Sequence, residues 1–356
     1  MMQKIYINGS GCISPQKTFE DEFPFEPLEK ETKRLLIEKP EYKKYISPIR
    51  LRRMKHILRM GIASANKALK ESGSNDVDAI ICGTAMGCLE DTEKFLTDII
   101  KNDEDLLNPT AFIQSTHNTV AGQIALINKC NGYNYTYTNR GFSFENSLFD
   151  AQMMLSEGKV KKVLAGGLDE ATSNYFDTFD RLDLWKKESE IKNLNLLDYD
   201  SPGTVLGEGA AFFVLESEQS ESSQAVLQAM QMIYKPKESS IVVKSAERLI
   251  KQAGLDVSDI DLILTGANGD NRQDYFYKET AKSLGHESYA YFKHLSGEYH
   301  TASAFGTWLA AQILNSGTAP AFVMNNAKSK EGVKNILIYN HYMGNNHSLI
   351  LLSAVV

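Results

Sequence analysis

The sequence predicts an α/β protein built from two duplicated βαβ-rich halves, and three observations carry that expectation. First, residues 68–83 (ALKESGSNDVDAIICG) are echoed by residues 250–266 (IKQAGLDVSDIDLILTG). In both, a helix ends at Gly73 or Gly254, a short loop leads into Asp-x-Asp, and an apolar strand closes on Gly. Asp76 and Asp259 stand 183 residues apart, and Thr119 (in NTVA) and Thr301 (in HTAS) stand 182 apart. A shared spacing with only two copies reads as duplication of one unit, not as a solenoid. Second, short apolar runs at residues 77–82, 162–165, 261–264 and 335–339 alternate with helical stretches at 53–72, 146–157, 244–253 and 301–314. Third, the runs are continuously apolar, as in strands covered on both faces.

Within this frame residues 203–216 (GTVLGEGAAFFVLE) read as a single glycine-punctuated strand. Residues 217–223 (SEQSESS), polar and acidic, read as the linker, which divides the chain into halves at 1–217 and 224–356. The uneven polar stretch 175–200 reads as a long loop region suited to lids or interfaces.

Composition narrows the class. With 356 residues, 42% hydrophobic and 23% charged, the chain can bury a large core, and disordered, collagen-like and disulfide-scaffold classes are excluded. A net charge of −7 gives no electrostatic footprint for nucleic acid. The start, MMQKIYIN, has no apolar leader region, and no apolar stretch is long enough to span a membrane, so the cytoplasm is the expected compartment. Cys12, Cys82, Cys88 and Cys130 form no CxxC pair and have no His at zinc spacing, so reduced thiols without metal or cofactor are expected.

Residues 203–216 resemble the glycine-rich strand of β-ketoacyl synthases in the thiolase superfamily, which reads approximately DGFVLGEGAGVLVLE. Residues 163–170 (VLAGGLDE), 121–124 (AGQI) and 7–15 (INGSGCISP) resemble further motifs of that family, in family order along the chain. The resemblance implies a thiolase-like fold: two similar halves packed face to face in an αβαβα layered arrangement. It also implies a catalytic Cys at a helix N-terminus and two His residues for decarboxylation and oxyanion stabilisation.

At those positions the chain departs from the family. Anchored on Asp150-Ala151, the cysteine motif places Gly141 at the nucleophile position. The first histidine motif, HGTxTxxGD, falls on residues 266–274, with Gly266 for His and Asp274 for the closing Asp. The second, KSxxGHxxGAAG, keeps Lys293 and Gly297 but has Glu298 for His. The GFGGTN gate falls on Tyr342-Met343-Gly344-Asn345-Asn346. The glycines are expected to leave room where Cys and His side chains would stand. Lys293 is expected to pair with Glu298, Asp270 or Asp274, because a lone buried ammonium is costly.

The profile is similar to that of chain-length factors, the cysteine-less ketosynthase partners of type II polyketide and aryl-polyene pathways. It implies no catalytic residue of its own and a catalytic ketosynthase as partner. An acyl carrier protein would be reached through that complex, and the isolated chain would form a homodimer. The partner surface is expected at residues 134–138 (NYTYT) and the following helix. Two other readings stay open: a malonyl-carrier-protein decarboxylase of altered chemistry, and an acyltransferase using Ser143.

The remnant pocket is expected to hold Asn268, Asp270, Asp274, Ser296 and His300. Each has a plainer reading. Asn268 and Asp270 lie in an Asn-Gly-Asp turn sequence, His300 can cap or pack a helix, and His294 neighbours Lys293 but points elsewhere. Glu298 is an ion-pair partner or a carboxyl of raised pKa, and Cys88 is a loop thiol without a base motif.

Overall fold

The computed structural model describes residues 4–74, 76–105 and 107–355; Met1, Met2 and Gln3, Asn75 in the first repeat, and Leu106 and Val356 lie outside the described residues. Ten strands form one mixed sheet: β1 Ile5–Ile13, β2 Ala79–Gly83, β3 Tyr133–Tyr137, β4 Lys162–Asp169, β5 Gly209–Glu216, β6 Ala225–Tyr234, β7 Leu262–Thr265, β8 Ala290–Tyr291, β9 Asn335–Tyr342 and β10 Asn346–Ser353. Their order is β8-β7-β9-β10-β6-β1-β5-β4-β2-β3. Reading outward from the junction of β1 with β6, each set of five runs first, fifth, fourth, second, third. In each set the fifth strand is antiparallel to its neighbours and the other pairs are parallel.

The repeat is also chemical. Asp78 Oδ2 accepts the N–H groups of Lys161 and Lys162 at 2.8 and 3.0 Å, at the start of β4. Asp261 Oδ2 accepts those of Lys334 and Asn335 at 2.8 and 2.9 Å, at the start of β9. The Asp-x-Asp echo therefore satisfies the same orphan amides in both copies.

The second echo pairs helices that are not equivalent. The Thr119 segment opens α3 (Thr119–Asn128), which precedes the third strand of its set, whereas the Thr301 segment opens α8 (Ala302–Ser316), which follows the third strand of the other. The topological counterpart of α8 is α4 (Ser143–Ser156). The chain between second and third strands is longer in the first copy (residues 84–132) than in the second (266–289), so a constant spacing cannot hold beyond β2 and β7.

Helices α4 and α8 form the middle layer. Phe144, Leu148 and Leu155 from α4 and Phe305, Leu309 and Ile313 from α8 share one core with Ala165, Phe213, Ile338 and Ile350 from both strand sets. Outside one set pack α1 (His56–Glu71) and α3, through Ile57, Leu58, Val120 and Ile124 on Leu164 and Phe212. Outside the other pack α6 (Ser239–Gln252) and α7 (Tyr275–Ser283), through Val242, Leu249 and Tyr277 on Ile263 and Leu349. This is the αβαβα layering of a thiolase-like fold. Each fully buried aliphatic or aromatic side chain contributes about 1.5–3 kcal/mol of transfer free energy. No helix among the described residues is long and apolar enough to cross a membrane.

Two local expectations change. Residues 203–216 are not one strand: Leu206–Gly207 pairs with Arg34–Leu35, and β5 starts only at Gly209. The break is at Glu208, whose buried carboxylate accepts the N–H groups of Ile37 and Ala171 instead of leaving a ladder partner for the strand. Residues 175–200 are more than loop. They carry most of α5 (Ser173–Asp180), capped by Thr172 Oγ1 accepting from Tyr175 N, and a 3-10 turn at Asn193–Asp198. α2 (Leu89–Lys101) packs on the short helix Pro109–Gln114, Phe95 against Phe112 with centroids 5.3 Å apart, and leaves Leu96 and Ile100 exposed.

Candidate functional site

The N-termini of α4 and α8, the loops after β7 and β8, and the β9–β10 hairpin turn meet around the positions singled out in the sequence. Gly141 is buried at the entry to α4. A Cβ added there would lie 2.4 Å from Tyr342 Cβ and 3.1 Å from Asn346 Cβ. The expected vacancy is absent: the hairpin's own side chain stands in it. Tyr342 is in turn stacked on His300, centroids 4.3 Å apart, with Tyr175 edge-on to His300. The hairpin is paired as far as Tyr342↔Asn346, and its tip turns through Met343 and Gly344 at φ +50° and +59°. Gly344 N–H donates to His341 Nδ1 at 3.3 Å, which pins the tip.

Gly266 leaves no space either. A Cβ there would meet Asn340 Oδ1 at 2.3 Å and Tyr277 OH at 2.9 Å. The third position brings together what the sequence suggested: Lys293 Nζ donates to Glu298 Oε2 at 2.8 Å and to His341 O at 3.0 Å, and both side chains are buried. Asn268 Nδ2 donates to the same Glu298 oxygen at 2.5 Å. Burial pushes the Glu298 carboxyl up, against the pull of Lys293 and Asn268.

Other candidates are spoken for. Asp274 is a turn brace, accepting the N–H groups of Asn268 and Gly269, and burial raises its carboxyl to about 6. Asp270 does not reach Lys293. It pairs with Arg272 at 2.6 and 2.8 Å, and that guanidinium outweighs burial to hold the carboxyl below its usual range. Ser296 Oγ donates to Gly297 O. His294 turns away to Phe322 O at 2.9 Å, and burial lowers it to about 3. His300 is pushed down by burial, so its ring is a neutral stacking partner. Ser143 is a local brace, donating to Arg140 O and accepting from Asn139 N, which occupies the hydroxyl offered as a substitute nucleophile. Cys88 is buried, its thiol pushed up to about 12 by desolvation.

Sequence reasoning missed three groups. Glu145, in the first turn of α4, is fully buried, accepts from Ser348 Oγ at 2.8 Å and is raised to about 7 by burial. His341 and His347 stand in the hairpin with centroids 5.0 Å apart. His341 stacks on Tyr277 at 4.3 Å, and His347 Nδ1 shares a 2.9 Å hydrogen bond with Tyr339 OH. Their signal was present: polar residues interrupting the apolar strands NILIYNHY and NHSLILLS.

What this geometry does chemically is bind itself. The spaces beside Gly141 and Gly266 are filled by Tyr342 and Asn340, and Lys293 and Asp270 are paired with Glu298 and Arg272. A family model of the β-ketoacyl synthase N-terminal domain matches residues 28–221, more than half of the chain. The chain belongs to the β-ketoacyl synthase family. Solved structures of this family superpose on it over its full length. The ishigamide ketosynthase/chain length factor does so with a TM-score of 0.83 at 16% identity, covering 100% of both chains. A β-ketoacyl synthase from Burkholderia phymatum STM815 gives 0.82 at 16% identity, again over 100% of both. The ketosynthase ApeO in complex with its chain length factor ApeC from Xenorhabdus doucetiae gives 0.76 at 15%, covering 99% of this chain and 98% of that one. At such identities the likeness establishes the fold. No curated protein sequence matches this chain.

Proposed function

We propose that this β-ketoacyl synthase homologue is a non-catalytic subunit of the chain-length-factor kind, pairing with a catalytic ketosynthase in fatty-acid or polyketide-type (aryl-polyene) chain elongation. The carrying observation is Gly141: no thiol stands at the family's nucleophile position, and Tyr342 leaves no room for one. Replacement of both histidine positions, by Gly266 and Glu298, supports the same reading, as does the presence of ketosynthase and chain-length-factor complexes among the structures of like fold.

A free sheet edge supports a protein partner. Among the described residues, β3 ends the ten-stranded sheet with one side unpaired. Tyr133 and Tyr135, 40% and 48% exposed, stack on its open face, beside Phe149 and Met153 of α4, each 43% exposed. An exposed aromatic edge strand next to an apolar helix face invites pairing with another chain. In the cell that chain is the catalytic ketosynthase, with the acyl carrier protein reached through the complex and the cytoplasm as compartment. Without it a homodimer through the same edge is expected. The test is co-expression with a catalytic ketosynthase from the same genome that retains the Cys-His-His set. A single co-eluting species on gel filtration supports the reading, and two independent peaks with unchanged stabilities overturn it.

A further inference from the structure

Away from the remnant site, a cleft of about 360 Å³ is lined by Arg34, His56, Glu90, Glu93, Glu170 and residues 171–174. His56 and the buried Glu170 line its wall, and behind them His56 meets a second buried carboxylate, Glu208. Glu208 Oε1 lies 3.0 Å from His56 Nε2 and 3.1 Å from the N–H of Ile37, while Glu208 Oε2 accepts the N–H of Ala171 at 3.0 Å. Glu170, 6% exposed, accepts only the N–H of Glu90, at 2.9 Å. One carboxylate thus fastens three chain segments: the strap through Ile37, the start of α1 through His56, and the end of β4 through Ala171. The residue before Glu208, Gly207, donates its N–H to Glu298 O, and Glu298 N–H donates to Val205 O.

We propose that His56, Glu208 and Glu170 form a proton-operated clamp that fastens the strap at residues 30–38 and, through Gly207, the backbone of Glu298 in the remnant site. Charged and titratable neighbours face it from every side: Arg34 on the strap, Lys39 and Tyr42 just beyond it, Lys55 and Arg59 by α1, and Glu90, Asp91 and Glu93 on α2. Burial raises Glu170 to about 7. Burial pushes His56 down, but the bond to Glu208 and the charges of Glu208 and Glu170 bring it above its ordinary value. Burial likewise opposes ionisation of Glu208, and His56 with the two amides holds it ionised below its usual pKa.

The signs agree. A group whose pKa is raised by closure lends stability that is full below its open-state pKa and lost as pH rises through its closed-state pKa. Glu170 and His56 both behave so, and the clamp is therefore closed on the acid side of neutrality and loosened above it. Opening that exposes Glu170 to water returns its carboxyl from about 7 to the ordinary 4.5, so the opening equilibrium rises about tenfold between pH 6 and 8.

The experiment is native-state hydrogen exchange on the full chain, read as protection factors of the Ile37, Ala171 and Gly207 amides at pH 6, 7 and 8, with an NMR titration of the His56 ring. Protection falling tenfold or more at these amides, with amides of β10 unchanged and His56 titrating above 6.5, is the expected result. Glu170→Gln flattens the profile, whereas His56→Arg, a fixed cation beside Glu208, moves the fall in protection to lower pH. Flat wild-type protection, or His56 titrating at or below 6.5, overturns the clamp. These two readings need no variant, so the outcome stands even where a variant fails to fold.

Discussion

Restoring a cysteine at Gly141 is expected to damage the protein rather than repair it. The added Cβ would lie 2.4 Å from Tyr342 Cβ, where carbon atoms normally keep well over 3 Å, and 3.1 Å from Asn346 Cβ. Neither neighbour yields easily, because both are the last paired residues of the β9–β10 hairpin and Tyr342 is held against His300. Overpacking of this kind costs about 1–3 kcal/mol. Spread over the unfolding entropy of a chain this long, that lowers the melting temperature by roughly 1–4 °C. Tyr342→Gly, which removes that Cβ, should relieve the clash, so the double variant Gly141→Cys with Tyr342→Gly is expected to be about 1–3 kcal/mol more stable than additivity of the single changes gives. Urea denaturation of the four proteins measures the coupling, and intact-mass analysis after exposure to an acyl thioester donor shows whether the new thiol is loaded. A Gly141→Cys protein as stable as its parent, with additive single effects, would refute the claim that Tyr342 fills the nucleophile position.

Three further outcomes follow from the same geometry. Glu298→Gln leaves the buried Lys293 ammonium without its counter-ion, and should cost about 3 kcal/mol by denaturant titration while leaving a partner ketosynthase's condensing activity intact. Lost product formation at unchanged stability would instead put Glu298 in the chemistry. His347 is lowered to about 4 and His341 well below its ordinary value, both chiefly by burial. Groups held neutral in this way favour the fold above the unfolded value near 6.5 and penalise it as pH falls towards 4. Stability should thus drop by about 3 kcal/mol for His347 alone across that window. A pH-stability curve that is flat there contradicts the neutral, buried assignment. Tyr135→Asp, on the open edge of β3, should change the isolated chain by under about 1 kcal/mol yet weaken ketosynthase binding at least about tenfold, as read by titration calorimetry. Unchanged affinity would place the partner elsewhere.

The fold was legible where chemistry repeats locally. Asp78 and Asp261 brace the same strand starts, and the continuously apolar runs became strands covered on both faces. The Thr119 and Thr301 echo misled because helix N-termini draw on a small set of residue types, so Asn-Thr and His-Thr recur without common ancestry. At the site, the Lys293–Glu298 pair was readable because a buried ammonium demands a counter-charge from the nearby loop. The filling of Gly141 and Gly266 was not. Gly141 and Tyr342 are 201 residues apart, and Asn340 reaches Gly266 only because β9 pairs with β7. A glycine in sequence shows that a side chain is missing; which distant side chain takes its place is a matter of tertiary packing. Glu145, His341 and His347 escaped for a related reason, since apolar patterning treats isolated polar residues in core elements as noise.

The central claim is that this chain supports condensation without performing it. Its most direct test incubates the purified chain with acyl and malonyl carrier proteins, alone and with a catalytic ketosynthase that co-purifies with it, following covalent mass, carbon dioxide release and product together. The account expects the isolated chain to show no acyl adduct, no carbon dioxide and no product, and the complex to elongate with the adduct only on the ketosynthase. An acyl adduct on this chain, or carbon dioxide released by it alone, would contradict the account.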